Sequence, residues 1–457
     1  MHVTTVDRYT PEPGTFLHWT VPPDESACIE SPIPPSFNQL VHLVRAESGS
    51  IWLAAAFDVA GHVNRDRLAD AYRELIARHG TLRSSFTATP SGPLRILRPT
   101  PNRLEQQPDI AHGSATTLRE TLRRHADIRC ASFAERAYLL AAIDRPHTST
   151  IVCAFDHAHV DAYSMAIIIE DLRLLYHGAN PETLPATGDF VDYCATPVEF
   201  EPDDPRVDGW RDFFGDQGVI PPSFPLDLGL EPGRRAPQAT DLRELLSADA
   251  AENFERFCRR SDAGVFAGAL AALAHSVHRA GGGSRLRMVF PLHTRHEPQW
   301  RNAVGWFTTN APVAVDTARD FADTVRNARE SVRAALGLGG VPLAETLHEL
   351  GGLQPSRADI FMVSYVDYRR LPGAAFRRAI NATHISNSGF ADDVQLWFSR
   401  SDKGLALRAR YPATAQAHAV VRAFLDDVEQ ILVHCSNDWN PNAISRSRHD
   451  RYLGHVH

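Results

Sequence analysis

Hydrophobic and polar positions along this chain follow two periods, and each predicts a different element. Ile51 to Val59 is a compact apolar run suited to a buried strand, whereas Arg65 to His79 places Leu68, Tyr72, Leu75 and Ile76 at the spacing of one helical face. Tyr138 to Ile143 and Thr150 to Phe155 are apolar runs flanking the polar stretch Asp144-Arg-Pro-His-Thr-Ser149, which reads as strand, loop and strand. Directly after them comes Asp156-His-Ala-His-Val-Asp-Ala162, and then Ser164 to His177, with Ile168, Ile169, Leu172 and Leu175 on one helical face and Gly178 as the stop. A polar cluster is thereby placed at a strand-to-helix turn.

A second α/β half follows. Between about 179 and 237 the composition shifts to acidic and proline-rich pieces such as Glu199-Phe-Glu-Pro-Asp-Asp-Pro205, which marks a crossover between a first half, 1–180, and a second, 181–457. The second half shows helices at Phe254 to Cys258, Val265 to His278, near Phe321 to Leu336 and at Ala417 to Val433. Its strands are expected at Leu286 to Phe290, Ile360 to Tyr365 and Val394 to Phe398. The first 35 residues hold Pro11, Pro13, Pro22, Pro23, Pro32, Pro34 and Pro35, and this loss of amide donors predicts an extended strap over a domain surface instead of regular structure.

Composition narrows the chemistry. With 457 residues, 43 % of them hydrophobic, the chain is long enough to bury a sizeable core without disulfide or metal staples. Forty-seven basic against 55 acidic residues leave a net charge of −8, so nucleic acid is not the expected partner. Lys403 is the only lysine, which removes the residue that a Walker A loop, a pyridoxal Schiff base or an aldolase needs. The six cysteines form no CxxC pair, and neither GxSxG nor GxGxxG occurs, so zinc knuckles, serine-hydrolase elbows and dinucleotide cofactors are set aside. No apolar stretch reaches the ~20 residues of a membrane span and Met1 to Arg8 lacks a signal-peptide core, so a cytoplasmic protein without cofactor or metal is expected.

His157, His159 and Asp161 alternate with Ala158 and Val160, so a persisting strand would put all three on one face. A histidine beside carboxylates at the end of an element is how proton-transfer sites are built, and a polar turn with satisfied hydrogen bonds is the competing reading. A zinc site has less support, because the segment lacks the helical HExxH spacing.

Together with three further segments, the turn resembles the condensation-domain superfamily, which includes chloramphenicol acetyltransferase relatives, peptide-synthetase condensation domains and polyketide-associated acyltransferases. Asp156-His157-xxx-Asp161-Ala162 is similar to its HHxxxDG signature, and Arg78-His79-Gly-Thr-Leu82-Arg83-Ser-Ser-Phe86 to its RHxxLRxxF segment. Pro291-Leu-His-Thr-Arg295 with Val304-Gly305-Trp306-Phe307-Thr-Thr-Asn310-Ala-Pro312 resembles its PxxxR and GxFxNxxP block, with the last spacings altered. Phe361 to Tyr365 and Asp393 to Phe398 stand where it has two late strands. The resemblance spans Pro35 to Val433. It departs at two positions, where Asp156 replaces the first histidine and Ala162 the final glycine; a backbone with positive φ there would be strained by the alanine Cβ.

The resemblance implies an α/β pseudo-dimer of two chloramphenicol-acetyltransferase-like halves in a V, with the active site in the tunnel between them. It implies a free-standing condensation enzyme that transfers an acyl or aminoacyl group from a carrier-protein phosphopantetheine thioester to a hydroxyl or amine of a natural-product acceptor. A glycolipid acyltransferase of the polyketide-associated type, acting on a sugar hydroxyl, is the nearest alternative, and a catalytically silent platform for carrier proteins is the alternative of another class. His157 is then the expected base, with Asp161, Arg295 and Asp156 in support. His159, Ala162, Trp306, Ser364, Ser386 and Asn387 are pocket candidates, the last three by position alone. A basic patch for an acidic carrier protein is sought at Arg123, Arg124 and Arg129 or at Arg377 and Arg378.

Overall fold

The computed structural model describes residues 1–22, 28–45, 51–196, 199–216, 218–231 and 233–437, and among these two large sheets carry the chain. The first sheet runs, in spatial order, His2–Thr5, Thr383–Ser386, Trp52–Ala60, Thr148–Asp156, Tyr138–Asp144 and Gly14–Thr20, with the short strands Glu105–Gln106 and Ile110–His112 on the last. The apolar run that predicts a buried strand is buried on both faces. Leu53, Phe57 and Val59 face one hydrophobic cluster, which includes Leu68, Tyr72, Leu75 and Ile76 of helix Arg65–Arg78, and Trp52, Ala54 and Ala56 face another, under helix Ala115–Arg129. Each large side chain so enclosed contributes about 1.5–3 kcal/mol relative to exposure. Tyr72 is buried with its hydroxyl donating to the carbonyls of Ala141 at 2.7 Å and Val152 at 3.0 Å, which ties the helix to two neighbouring strands.

The second sheet runs Thr308–Asp316, Arg285–His293, Met362–Asp367, Gln395–Ser401, Gly404–Pro412, Ala236–Ser247 and Phe390–Ala391. One face of it packs on helices Ala248–Arg259, Val265–Arg279, Phe321–Leu338 and Ala415–Asn437. Strands Ala236–Ser247 and Gly404–Pro412 have no compact apolar run to announce them, because they are buried on one side only and alternate instead. The chain passes between the sheets late: Thr383–Ser386 inserts between His2–Thr5 and Trp52–Ala60 of the first, and Phe390–Ala391 returns to pair with Ala236 and Pro237 of the second.

The N-terminal strap expected from the prolines is not what forms. Gly14–Thr20 is a strand of the first sheet with Phe16 and Leu17 fully buried, and His2–Thr5 is its edge. The prolines bracket these strands without interrupting them, so no ladder donor is lost; Pro23 lies outside the described residues. Among the described residues no helix is long and apolar enough to cross a membrane.

Candidate active site

Strand Thr148–Asp156 stops at Asp156, a single 3₁₀ turn takes His157–His159, and Asp161 caps helix Ala162–Tyr176 by accepting the Ser164 amide at 2.7 Å. The strand does not persist past Asp156, so the condition under which His157, His159 and Asp161 would share a face is not met. The 3₁₀ turn, with about three residues per turn, replaces the two-residue alternation of a strand, and the three side chains diverge.

His157 is half-buried, its ring 4.1 Å from that of Trp306 between centroids. Its Nδ1 is sealed without a hydrogen-bond partner, and its Nε2 takes no hydrogen bond from the described residues, so Nε2 is the nitrogen left to meet a substrate. Burial, then the neighbouring His42 ring, push its pKa down to about 4, against the opposing pull of its own carbonyl, Asp156 and Asp161. The ring is therefore neutral at physiological pH and able to accept a proton.

Asp156, the residue in place of a histidine, is fully buried behind the turn. Its two oxygens each lie 3.0 Å from Nε2 of His42, and it accepts the Ser132 hydroxyl at 2.9 Å and the Ala158 amide at 2.9 Å. Burial would push the carboxyl up, but the His42 ring, its hydrogen bond and the Ala158 amide outweigh it and hold the carboxyl below its usual range. A carboxylate can only accept, so His42 Nε2 donates. His42 comes from helix Phe37–Val44, which also braces the turn through Gln39, whose Nε2 donates to the Ala158 carbonyl at 2.7 Å. Restoring the family's residue by Asp156→His therefore leaves three donors facing an imidazole. Urea unfolding is expected to show a loss of roughly 1–3 kcal/mol, the cost of orphaned buried polar groups; an unchanged or higher midpoint would refute this account of the turn.

Asp161 faces the second half of the molecule. Arg295 grips it with two bonds, Nη1 to Oδ2 at 2.7 Å and Nη2 to Oδ1 at 3.0 Å, and the Phe307 amide adds a third at 3.1 Å. Arg295 also donates to the carbonyls of Ala303 and Gly305, each at 3.2 Å, and its guanidinium lies 4.4 Å from the Phe307 ring centroid. Ser164 closes the cage by donating to the Gly305 carbonyl at 2.9 Å. The loop 294–307, which carries Trp306, is in this way pinned to the start of helix Ala162–Tyr176.

The remaining candidates sit elsewhere. His159 is buried against the Phe86 ring at 5.5 Å with Thr81 Oγ1 3.3 Å from its Nδ1, a packing position away from His157. Ala162 opens its helix, and Asp262 and Asn381 are the non-glycine positive-φ residues among those described, so the feared strain at Ala162 is absent. Ser386 accepts a bond from Arg408 and donates to the Thr4 carbonyl, while the Asn387 amide donates to the Trp52 carbonyl, one strand across from the His157 amide on Ile51. Ser364 is in register with Trp397 and Arg408 on the second sheet. In the upstream motif, Arg78 and His79 both grip Asp171 of the helix after the turn, at 2.8 and 2.9 Å. Sequence reasoning missed His42 and Ser132, whose meeting with Asp156 has no local signal.

A histidine turn bolted onto a second α/β half is the architecture of chloramphenicol-acetyltransferase-like acyltransferases. The condensation-domain family model matches residues 33–440, and the chain belongs to that family and is an acyltransferase. Trehalose-2-sulfate acyltransferase PapA2 of Mycobacterium tuberculosis is 24 % identical over 464 positions, covering 95 % of this chain and 97 % of that one. The polyketide synthase-nonribosomal peptide synthetase ffsA of Aspergillus flavipes is 21 % identical over 390 positions, 80 % of this chain but 9 % of that one. Among solved structures, PapA2 acyl transferase superposes with a TM-score of 0.83 at 22 % identity over 95 % of this chain and 100 % of that one. The X-domain from teicoplanin biosynthesis gives 0.69 at 18 % identity, over 91 % and 98 %.

Proposed function

We propose that this protein forms an ester by moving an acyl group from a phosphopantetheine thioester of a carrier protein to a hydroxyl of a sugar-containing acceptor, with His157 as the base. The observation that carries the reading is the neutral imidazole whose Nε2 has no hydrogen-bond partner among the described residues. Nε2 takes the hydroxyl proton as that oxygen attacks the thioester carbonyl; the tetrahedral intermediate expels the thiolate, and the imidazolium returns the proton to sulfur. The new bond is C–O and the broken bond C–S, and no enzyme nucleophile is required. Asp161 and Arg295 position the turn and touch neither substrate. A sugar hydroxyl is favoured over an amine because the relative matched over nearly its whole length is named for a sugar acceptor, whereas the synthetase relative is matched over a small part. A silent docking platform would have no use for a proton acceptor left open at Nε2.

For the carrier, Arg124 and Arg129 are exposed on helix Ala115–Arg129, and Arg123 is paired with Asp7 at 3.2 Å. Arg377 does not serve: it is buried, donating to the carbonyls of Pro372, Tyr368 and Leu371. The test is mass spectrometry of the protein with carrier-bound and small pantetheine thioesters, offered sugars, other alcohols and amines. An acylated sugar is expected; acylation confined to amines, or no product with any acceptor, would overturn the reading.

A further inference from the structure

Arg408 lies between the two sheets with few partners for its charge. It is in register with Trp397 on the face of the second sheet that turns away from the core, since its chain neighbours Leu407 and Ala409 belong to that core. Its guanidinium carbon sits 3.9 Å from the Trp397 ring centroid, and Nη1 reaches across to the Ser386 hydroxyl of the first sheet. Nε is buried without a partner, and no carboxylate among the described residues pairs with it. Three buried arginines are better served: Arg295 has Asp161, Arg95 has Gln39 and two carbonyls, and Arg377 has three carbonyls, whereas buried Arg400 shares with Arg408 an unpartnered Nε. Burial lowers the Arg408 pKa to about 10, with Tyr368 opposing and Arg410 adding to the shift, and still leaves it charged at neutral pH.

A half-buried guanidinium that faces one hydroxyl and an indole, with Nε sealed off, is electrostatically incomplete. It borders a cavity of about 240 Å³ formed by Met1 to Val3 of the first sheet and by Leu242, Ser399 and Ala406 of the second. That is below the roughly 300–1,000 Å³ of pockets that hold whole drug-sized ligands, and it suits one substituent of a larger substrate. Glu244 also borders the cavity but is exposed and forms no ion pair with Arg408; Arg243 is already paired with Asp426 at 2.5 Å. His384, on the strand carrying Ser386, is within the electrostatic reach of both Arg408 and His157.

We propose that Arg408, with Ser386 as its support, binds an oxyanion substituent of the acceptor, a sulfate, phosphate or carboxylate group, and so selects acidic acceptors over neutral ones. This rests on the acyl-transfer reading above. The guanidinium fork matches such groups with two parallel bonds, and the Trp397 face holds the fork flat. Arg408 is a specificity residue and takes no part in proton transfer.

The test compares trehalose 2-sulfate with trehalose as acceptors, using an N-acetylcysteamine thioester as a phosphate-free donor and, in a parallel arm, a phosphopantetheine-bound donor. Arg408→Gln is expected to lower the ratio of kcat/KM for the sulfated over the plain sugar at least tenfold, chiefly through KM, with Arg408→Lys falling between. Equal losses for both sugars, or a defect seen only with phosphopantetheine-bound donor, would overturn the proposal, the latter assigning Arg408 to the donor phosphate. Calorimetric binding of the two sugars separates the two levels of inference. Arg408-dependent binding of the sulfated sugar without any turnover would sink the acyl-transfer reading and keep the anion site, whereas turnover indifferent to both sulfate and Arg408 would do the reverse. Should the glutamine variant fail to fold, the lysine variant and Ser386→Ala carry the comparison.

Discussion

Replacing His157 with alanine is expected to lower kcat/KM for acyl transfer by about 10²–10⁴-fold, the usual contribution of a positioned general base, while the protein stays folded. The half-buried ring makes no hydrogen bond with the described residues, so its removal orphans no partner and leaves the Asp156 and Asp161 networks intact. Circular dichroism and a thermal melt alongside the kinetics separate loss of chemistry from loss of fold. A variant with more than a tenth of the wild-type rate would remove His157 from the mechanism. The pH profile adds a second check. Because burial and His42 lower the pKa to about 4, the ring is protonated only as pH falls through that value. The rate of the wild-type protein should therefore hold from pH 8 to about 5.5, where an ordinary histidine near 6.5 would already have lost most of its base form.

Arg295→Ala is expected to produce the largest loss of stability, about 3–5 kcal/mol, as found when one partner of a buried ion pair is removed. The Arg295 side chain is 1 % and that of Asp161 6 % exposed, so solvent cannot replace the lost guanidinium. The alanine variant leaves a carboxylate enclosed at the start of helix Ala162–Tyr176 and frees the carbonyls of Ala303 and Gly305 at the same time. Arg295→Lys, which keeps the charge and loses the two-pronged geometry, should fall between. The double variant Asp161→Asn with Arg295→Met should recover part of the loss, since no bare charge is then buried. Denaturant unfolding reads all four proteins, and an alanine variant within 1 kcal/mol of wild type would show that the pair does not hold the loop.

Much of this was legible in one dimension. The turn at Asp156 to Ala162, the helices at Arg65–Arg78 and Phe321–Leu338 and the strand Trp52–Ala60 follow from local apolar periodicity, because a buried face imposes its spacing on the residues that form it. Strands Ala236–Ser247 and Gly404–Pro412 escaped notice because each is buried on one side and carries charged residues on the other. The N-terminal strands were hidden by prolines that fall between and after them and not within them. The capping box that opens helix Phe37–Val44, Ser36 with Gln39, is readable in sequence, but nothing in it says that His42 will reach Asp156.

The sequence by itself determined where the elements and the histidine turn fall, and the motif order that places the chain among condensation domains. The tertiary structure decided which side chains meet. His42 and Asp156 are 114 residues apart, Asp161 and Arg295 are 134 apart, and Arg408 touches Ser386 only because strand Thr383–Ser386 leaves its own half to join the other sheet. Periodicity encodes which face of an element is buried, whereas partnership across the interface depends on sheet register and on that exchanged strand, and these are set by the packing of the whole chain.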